Sequence, residues 1–197
     1  MRNDLTEIVL VVDESTSMGN LKHETIGNIN KFIEEQQKVE GEANFTLVFF
    51  HSAYKVIYDA VNIKDVKPLT TEYSPQGWTA LLDALGNTIN KVGNRLKLIN
   101  ESERASKVIF AILTDGEENT SKEFNHKKIK EMIEHQQTKY SWQFIFMAEN
   151  INAKATSMSY GINHSYQNSG GVNGYADTYT TINACVANFR STGNVKI

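Results

Sequence analysis

The sequence predicts an α/β protein with a doubly wound, mostly parallel sheet of six strands, one antiparallel edge strand and helices on both faces. Two observations predict this fold class. Apolar runs of strand length alternate with longer segments of helical periodicity, and the connections between them are short, without an internal repeat. The length of 197 residues suits one domain, so we expect 1–197 to form it, with a frayed tail over 192–197.

Six segments have the composition of strands. Four of them are almost continuous apolar runs, as expected for strands that are buried on both faces of a parallel sheet. The segment at 54–60 follows a tight connection and alternates in part, which predicts an antiparallel hairpin at the sheet edge. The predicted strands cover 5–12, 45–50, 54–60, 107–113, 143–148 and a short stretch near His164.

Five segments have helical spacing. In the first, Ile26, Ile29 and Ile33 recur on one face, and Gly161 is expected to end the fourth as a left-handed cap. A longer stretch without a clear period, 61–78, precedes the second helix and contains both prolines. The predicted helices cover 20–38, 82–96, 125–140, 152–160 and, after a glycine-rich turn at 169–171, 175–189.

Composition excludes several classes of function. The net charge of −3 offers no broad basic surface for nucleic acid or anionic lipid. The apolar run near the N-terminus is too short for a signal peptide or a membrane span. The single cysteine, Cys185, cannot form an intrachain disulfide, and its helical, apolar setting predicts a small buried side chain. We therefore expect a cytoplasmic protein that contacts neither nucleic acid nor membrane; the sequence does not predict its oligomeric state.

Oxygen-bearing side chains collect where the predicted strands end. Asp13, Ser15 and Ser17 follow the first strand, Thr79 opens the second helix, and Asp115 follows the fourth strand. In a doubly wound sheet these turns lie at one edge, where ligands bind. All five are hard oxygen donors, which suits Mg²⁺, Mn²⁺ or Ca²⁺ and argues against a zinc site. Because these donors do not fill an octahedral sphere, water or a partner must complete it.

Each of these residues also has an ordinary structural interpretation. Asp13 could cap the first helix, and Ser15 and Ser17 could be turn hydroxyls. Thr79 could be the N-cap of the second helix, a role that metal binding does not exclude. Asp115, which is followed by glycine, could belong to a type I turn. Their joint occurrence at separate strand ends favours the metal site.

The combination resembles the von Willebrand factor A domain family with an intact metal-ion-dependent adhesion site. The family's Asp-x-Ser-x-Ser motif stands at 13–17, where Met18 and Gly19 extend the match. Its threonine that opens a helix after a glycine corresponds to Thr79, and its Asp-Gly after a hydrophobic strand corresponds to 115–116. The resemblance covers 5–190 and implies a Rossmann-like fold.

The resemblance also implies roles for the five oxygen donors. Ser15, Ser17 and Thr79 would bind the divalent cation directly, whereas Asp13 and Asp115 would act through water. An acidic residue of a partner protein would complete the coordination sphere. The site would then serve protein–protein interaction rather than catalysis.

The C-terminal part of the chain, over 142–190, resembles a bacterial and phage branch of the same family. That branch tends to have Gly-Ala-Asn-x-Asp after its fifth strand, whereas 148–152 reads Ala-Glu-Asn-Ile-Asn. A function that depends on the aspartate is therefore not predicted for this chain.

Four residues flank the predicted metal site. Trp78 is a candidate anchor for a partner, although burial under the preceding loop is an equal alternative. Glu14, Glu117 and Glu118 are further candidates for partner contact, and Glu118 is also a candidate outer ligand near the ion. For Glu117 and Glu118, a solvated acidic rim is the simpler interpretation.

Two other functions remain open at this point. An Asp at the end of the first strand is also where haloacid-dehalogenase-like phosphatases place their nucleophile, which would make the chain a Mg²⁺-dependent phosphohydrolase or phosphotransferase. Those enzymes have Asp-x-Asp there, whereas this chain has Ser15 in the second position. The segment 15–19 could also be a flavodoxin-like phosphate loop, but Asp13 would repel the phosphate. We predict a binding module and no enzymatic activity.

Overall fold

The computed structural model describes residues 1–148, 152–168 and 171–196, apart from the side chains of 171–173. Its strands, within these ranges, are β1 (Arg2–Asp13), β2 (Glu42–Phe50), β3 (Tyr54–Asn62), β4 (Ala105–Thr114), β5 (Gln143–Ala148) and β6 (His164–Gln167). They form one sheet in the order β3-β2-β1-β4-β5-β6, with β3 antiparallel to β2 and the other pairs parallel. The predicted fold class, including the antiparallel edge strand, is confirmed.

Helices cover both faces of this sheet. The helices of the described ranges are α1 (Lys22–Lys38), α2 (Leu81–Leu98), α3 (His126–Tyr140), α4 (Ala153–Ser159) and α5 (Gly171–Thr192). Gly161, just after α4, has φ +76°, as its predicted role as a left-handed cap requires. None of the helices in the described part of the chain is long and apolar enough to cross a membrane.

The central strand β1 separates two hydrophobic cores. Ile8, Leu10 and Val12 pack on one face with α1 and α5, whereas Val9 and Val11 pack on the other face with α2 and α3. Successive side chains of a strand point to opposite faces, so the part of a strand that lies between two apolar cores is apolar on both faces. This explains the continuous apolar run from which β1 was predicted.

The segment after β1 differs from the prediction. We expected a helix from residue 20, but Thr16–Leu21 forms a 3₁₀ turn and α1 begins at Lys22. Met18 is 1% exposed and packs into the core beneath α1, and its backbone N–H donates to Ser15 O at 3.1 Å. Burial of Met18 draws this segment tightly against the end of β1, which keeps the Ser17 hydroxyl at the sheet edge.

The segment after Thr192, for which we predicted fraying, contacts α5 as far as Lys196. The Asn188 side chain donates to Asn194 O at 2.7 Å, and Val195 packs against the core. The thiol of Cys185 lies 3.0 Å from Lys196 O. Cys185 is buried, as predicted.

Adjacent parallel strands bring the predicted ligands to one edge. β1 and β4 are neighbours, and β1 ends at Asp13 while β4 ends at Thr114, directly before Asp115. The chain therefore places the carboxyl ends of two central strands side by side, at the position where open α/β sheets bind ligands.

Candidate metal centre

Asp13 lies at the base of the predicted site. Its side chain is fully buried, and each of its carboxylate oxygens accepts a hydrogen bond: Oδ1 from the Ser15 N–H at 2.7 Å and Oδ2 from the Thr114 hydroxyl at 2.6 Å. Burial raises the pKa of Asp13 to about 6, although these two bonds oppose the shift; the charge of Asp115 adds to it. The carboxylate is fixed in orientation but receives no positive charge from these two donors.

The hydroxyls of the first motif converge on the end of β4. Ser15 Oγ and Ser17 Oγ are 3.0 Å apart, and Ser17 Oγ donates to Asp115 Oδ1 at 2.8 Å. Ser15 is 2% exposed and Asp115 7% exposed, whereas Ser17 faces the surface. Ser17 therefore links Ser15, which follows β1, to Asp115, which follows β4, through two hydrogen bonds.

Thr79 reaches the same edge from the loop before α2. Its N–H donates to Asn119 Oδ1 at 3.0 Å, and its carbonyl accepts from the Asn119 N–H at 3.1 Å. Its Oγ1 lies 3.8 Å from the position that a Cβ on Gly116 would occupy, which places the hydroxyl beside the turn that carries Asp115. The structure thus brings all five predicted ligands to one edge of the sheet.

The N-cap alternative for Thr79 is not what the structure shows. The residue that precedes α2 is Ala80, which provides no side-chain cap. A carboxylate oxygen of Glu118 instead accepts from the Leu82 N–H at 3.0 Å, so Glu118 satisfies one of the free amides of the first turn. The Thr79 hydroxyl is therefore not used for capping.

An open depression of about 490 Å³ lies above these hydroxyls. Its polar end is formed by Ser15, Ser17 and Thr79, and Trp78 stands at its side. The Trp78 side chain is 68% exposed, which decides between the two predicted alternatives in favour of the rim. The depression therefore joins a group of oxygen donors to an accessible indole.

The loop that carries Trp78 is held on both sides. The N–H and the hydroxyl of Thr16 donate to Gly77 O at 3.1 and 2.9 Å, and the Trp78 N–H donates to Ser52 Oγ at 2.9 Å. Gly77 has φ +68°, and a Cβ there would come within 2.9 Å of Ser52 Oγ and 3.0 Å of His51 Nδ1. Glycine is therefore required at this position, and the backbone beneath the indole is preorganised.

Two of the flanking acidic residues have structural roles that the sequence did not predict. Glu14 is 2% exposed, and its Oε1 accepts from the Ser74 N–H, so it faces inward rather than towards a partner. Besides the bond to α2, Glu118 accepts hydrogen bonds from the Thr120 N–H and from the N–H and hydroxyl of Ser121.

These contacts use both carboxylate oxygens of Glu118. The structure therefore gives no support to the predicted role of Glu118 as an outer ligand of the ion. Glu117 remains exposed. Of the four flanking residues predicted to contact a partner, Trp78 and Glu117 are exposed, Glu118 is partly buried and Glu14 is fully buried.

Three supporting residues were missed at the level of sequence. The Thr114 hydroxyl binds Asp13, Asn119 holds the Thr79 backbone, and the Tyr73 hydroxyl donates to Asp13 O at 2.6 Å. Thr114 directly precedes Asp115 at the strand end, so its position in the sequence could have indicated that it lies near the site. Asn119 and Tyr73 belong to irregular segments, and nothing in their spacing points to this edge.

The donor set fits a divalent cation that prefers oxygen. Among the described residues, no group of three or more His, Cys, Asp or Glu side chains is arranged to hold a metal ion. A cation here would therefore depend on the hydroxyls as much as on Asp13 and Asp115. Neutral hydroxyl ligands leave more of the ion's charge uncompensated, so it would still attract an additional anionic ligand.

A profile of the von Willebrand factor type A domain family matches residues 7–169. The chain belongs to this family. A search of curated proteins found no match.

Solved structures agree with the fold of a von Willebrand factor type A domain. The von Willebrand factor type A protein from Catenulispora acidiphila has a TM-score of 0.66 and 13% identity, over 92% of this chain and 42% of that one. A mutant of the PilB minor pilin from Streptococcus sanguinis has a TM-score of 0.61 and 12% identity, over 96% and 63%.

Proximal thread matrix protein 1 from the mussel byssus, solved with a zinc-occupied MIDAS motif, has a TM-score of 0.60 and 17% identity, over 92% and 46%. The chain thus spans less than two thirds of the length of each of these three proteins. At sequence identities this low, the similarity to these structures shows a common fold and nothing about ligands or partners.

Proposed function

We propose that the depression at the strand ends is a metal-ion-dependent adhesion site through which this domain binds a partner protein. Ser15, Ser17 and Thr79 would hold the cation directly, and Asp13 and Asp115 would act through water. The observation that carries the proposal is the convergence of these side chains, with contacts of 3.0 Å between the serine hydroxyls and 2.8 Å from Ser17 to Asp115.

Mg²⁺ is the ion we propose, with Mn²⁺ or Ca²⁺ as substitutes. All five ligands are oxygen atoms, which hard divalent cations prefer. The zinc-occupied motif of the mussel protein supports a divalent ion at the corresponding edge of the fold. Bound to these residues, the ion would supply positive charge next to Asp13, whose pKa is raised to about 6 by burial.

The partner we propose offers an Asp or Glu side chain to the open position of the ion. Trp78 would then receive an apolar side chain next to that carboxylate in the partner. An exposed Trp on a fixed backbone can bury a large area at little conformational cost, which is typical of an interface hot spot. Exposed Glu117 adds negative charge near this edge and disfavours partners with additional acidic residues around the contact.

We propose that the domain is not an enzyme. In a phosphatase the Asp at the end of the first strand attacks the substrate. The buried Asp13 carboxylate has both oxygens in hydrogen bonds, and the second acidic residue of the phosphatase motif is replaced by Ser15. Both observations support a binding role.

Cellular location and origin stay predictions. A single buried cysteine is compatible with the reducing cytoplasm, where we expect the protein to act. Residues 149–151, part of the segment that bears on the bacterial and phage branch, lie outside the described residues. Asn152, where that branch has Asp, caps α4 by accepting from the Ala155 N–H at 2.9 Å.

The metal site is tested by thermal unfolding with and without Mg²⁺, Mn²⁺ or Ca²⁺. An ion at 100 times its dissociation constant stabilises the folded state by about 2.7 kcal/mol. We expect this stabilisation for the wild type and its loss in Asp13→Ala and in Thr79→Val. The Thr88→Val variant is the matched control and should keep the response, because the Thr88 hydroxyl contacts Ala84 O and the Tyr54 hydroxyl and none of the five predicted ligands. No shift of the wild type at millimolar ion would contradict the proposal.

The adhesion role is tested by selecting peptides from a random library in Mg²⁺ and again in EDTA. We expect Mg²⁺-dependent enrichment of an Asp or Glu with a bulky apolar neighbour. With Trp78→Ala the acidic residue should still be enriched while the apolar preference disappears, because the metal ligands are unchanged. Selection that is equal in Mg²⁺ and EDTA would contradict the role of the ion, and an unchanged apolar preference in Trp78→Ala would contradict the role of the indole.

A further inference from the structure

A separate cavity of about 380 Å³ lies at the opposite edge of the sheet from the metal centre. It is half open to solvent and is bordered by the second halves of α2 and α3 and by the first residues of β4. Apolar side chains form part of its lining: Ile89, Leu96, Val108 and Trp142. The volume is at the lower end of the range for small-molecule sites, so it suits a small ligand.

Gly93 of α2 opens this cavity towards Trp142. It lies inside the helix, where glycine is less stable than alanine because it loses more backbone entropy. A Cβ at this position would be 3.8 Å from Trp142 Cη2, so the backbone tolerates a side chain, and any larger side chain would fill the cavity. Glycine at this position therefore leaves space beside the edge of the indole of Trp142, which is 4% exposed and borders the cavity.

The charges around the cavity are of one sign. Lys97, Arg104 and Lys139 line it, and none of the described lining residues is Asp or Glu, in a chain with a net charge of −3. Lys97 and Lys139 lie in the last turns of α2 and α3, where a positive charge also stabilises the helix end. Arg104 lies in the loop before β4, so stabilisation of a helix end does not explain its positive charge at the cavity.

Arg104 is incompletely satisfied. Its Nη2 donates to Ile99 O at 2.9 Å, but its Nε is buried and has no hydrogen-bond partner in the part of the chain that the structure describes. A buried donor without a partner destabilises the fold unless another group binds it. An anion that enters the cavity would supply a negative charge next to this guanidinium.

Large apolar side chains are exposed at this edge as well. Met1 (62% exposed) and Tyr140 (46%) line the cavity, and Leu98 (88%) follows Lys97 at the end of α2. The cavity therefore combines an apolar interior, an apolar rim and positive charge.

We propose that this cavity binds a small amphiphilic carboxylate. Its apolar body, an aryl or short alkyl group, lies along Trp142 in the space opened by Gly93, and its carboxylate pairs with Arg104 and Lys139. This site is independent of the metal centre, because its residues belong to the opposite ends of the strands.

The two tryptophans of the chain provide separate reporters. We would titrate 3-phenylpropionate into the ¹⁵N-labelled protein in EDTA and follow both indole N–H signals, assigned with Trp142→Phe. We expect a shift of the Trp142 signal and none of the Trp78 signal, with a dissociation constant on the order of 1 mM or tighter. The neutral amide of the same acid should bind at least about 10-fold more weakly, since it lacks the charge that pairs with Arg104.

Variants distinguish specific binding in the cavity from weak binding elsewhere on the surface. Gly93→Leu should abolish binding, whereas Gly27→Leu, at an open and exposed position of α1, should leave it unchanged. Arg104→Gln should remove the preference for the acid over the amide, and Lys139→Gln should weaken it while the exposed Lys127→Gln does not.

No Trp142 shift at about 10 mM ligand, equal affinity for acid and amide, or unchanged binding in Gly93→Leu would overturn the proposal. The acid–amide comparison uses the wild type alone, so it decides even if a variant fails to fold. Binding that persists in Asp13→Ala is expected, and its loss there would contradict the independence of the two sites.

Discussion

Two buried carboxylates on β1 differ in the charge of the groups that donate hydrogen bonds to them. Glu7 and Asp13 are both fully buried, and the alternation of the strand directs both to the α2 face. Glu7 Oε2 accepts from Arg95 at 3.0 Å and its Oε1 accepts from the Asn44 amide at 2.7 Å. Asp13 receives only neutral donors.

The difference separates a carboxylate that is paired inside the fold from one that is available to an added cation. The charge of Glu7 is compensated inside the fold, because α2 supplies a guanidinium to it. The charge of Asp13 is left uncompensated by its two donors, and burial raises its pKa to about 6. A buried acid without a cation of its own is unfavourable for the apo protein, and it is suited to a cation from outside.

The largest effect is expected from removing the internal cation. Arg95→Met leaves the Glu7 carboxylate buried without its charged partner, which should lower the free energy of unfolding by about 3 kcal/mol or more. Urea unfolding measures the loss, and Mg²⁺ affinity should not change. Arg2→Met, which breaks only exposed ion pairs with Asp4 and Glu42, is the control. An equal effect of the two variants would show that Glu7 does not depend on Arg95.

The next effect is the pH dependence of the ion-free protein. The folded-state pKa of Asp13, about 6, exceeds its ordinary value of 3.8, so the folded state binds more protons in this interval. Stability is therefore highest below about pH 4 for this group and falls by roughly 3 kcal/mol as the pH rises through 6.

This contribution is measured as the difference in unfolding free energy between the wild type and Asp13→Asn in EDTA. Because the cation favours the ionised carboxylate, saturating Mg²⁺ should reverse the slope over the same interval. A difference that is independent of pH in EDTA would contradict the uncompensated state of Asp13.

The smallest effect is expected from removing the Thr114 hydroxyl, one of the two neutral donors to Asp13. Thr114→Val removes the hydroxyl that donates to Asp13 Oδ2 at 2.6 Å, and we expect Mg²⁺ affinity to fall by roughly 10- to 100-fold. Calorimetric titration measures this change. Thr88→Val removes a buried hydroxyl of α2 that contacts none of the predicted ligands, and it should alter stability without altering affinity. Equal Mg²⁺ affinity of the two variants would exclude an orienting role for Thr114.

Much of the fold, and the grouping of the candidate metal-binding side chains at one edge, could be predicted from sequence. Continuous apolar runs identify strands that are buried on two faces, and the alternation with helices identifies the doubly wound sheet. The proposed ligands Asp13, Ser15 and Ser17 follow one strand directly, and Asp115 follows another, so the rule that parallel strands end at one edge was sufficient to group them. The start of α1 was misplaced, because the burial of Met18 imposes a 3₁₀ turn.

The supporting contacts could not be predicted, since they connect residues that are distant in the chain. Glu14 stands beside the metal motif in sequence, yet its carboxylate turns inward to the backbone of Ser74. Glu118 was predicted at the acidic rim but ties its own loop to α2. Local spacing reports which face a side chain occupies, but it does not report which backbone amide will need an acceptor.

The sequence by itself determined the fold class, the edge at which a cation would bind and the oxygen chemistry of that site, because these depend on periodicity and on the residues that follow each strand. Only the tertiary structure decided which acidic side chains are free to act. Glu7 pairs with the Arg95 guanidinium, and Glu14 and Glu118 are used up in bonds to backbone amides. Asp13 lies beside the strand-end hydroxyls and, among the described residues, has no cationic donor in its hydrogen bonds. The physical reason is that the electrostatic state of a buried carboxylate is set by neighbours that only folding brings to it.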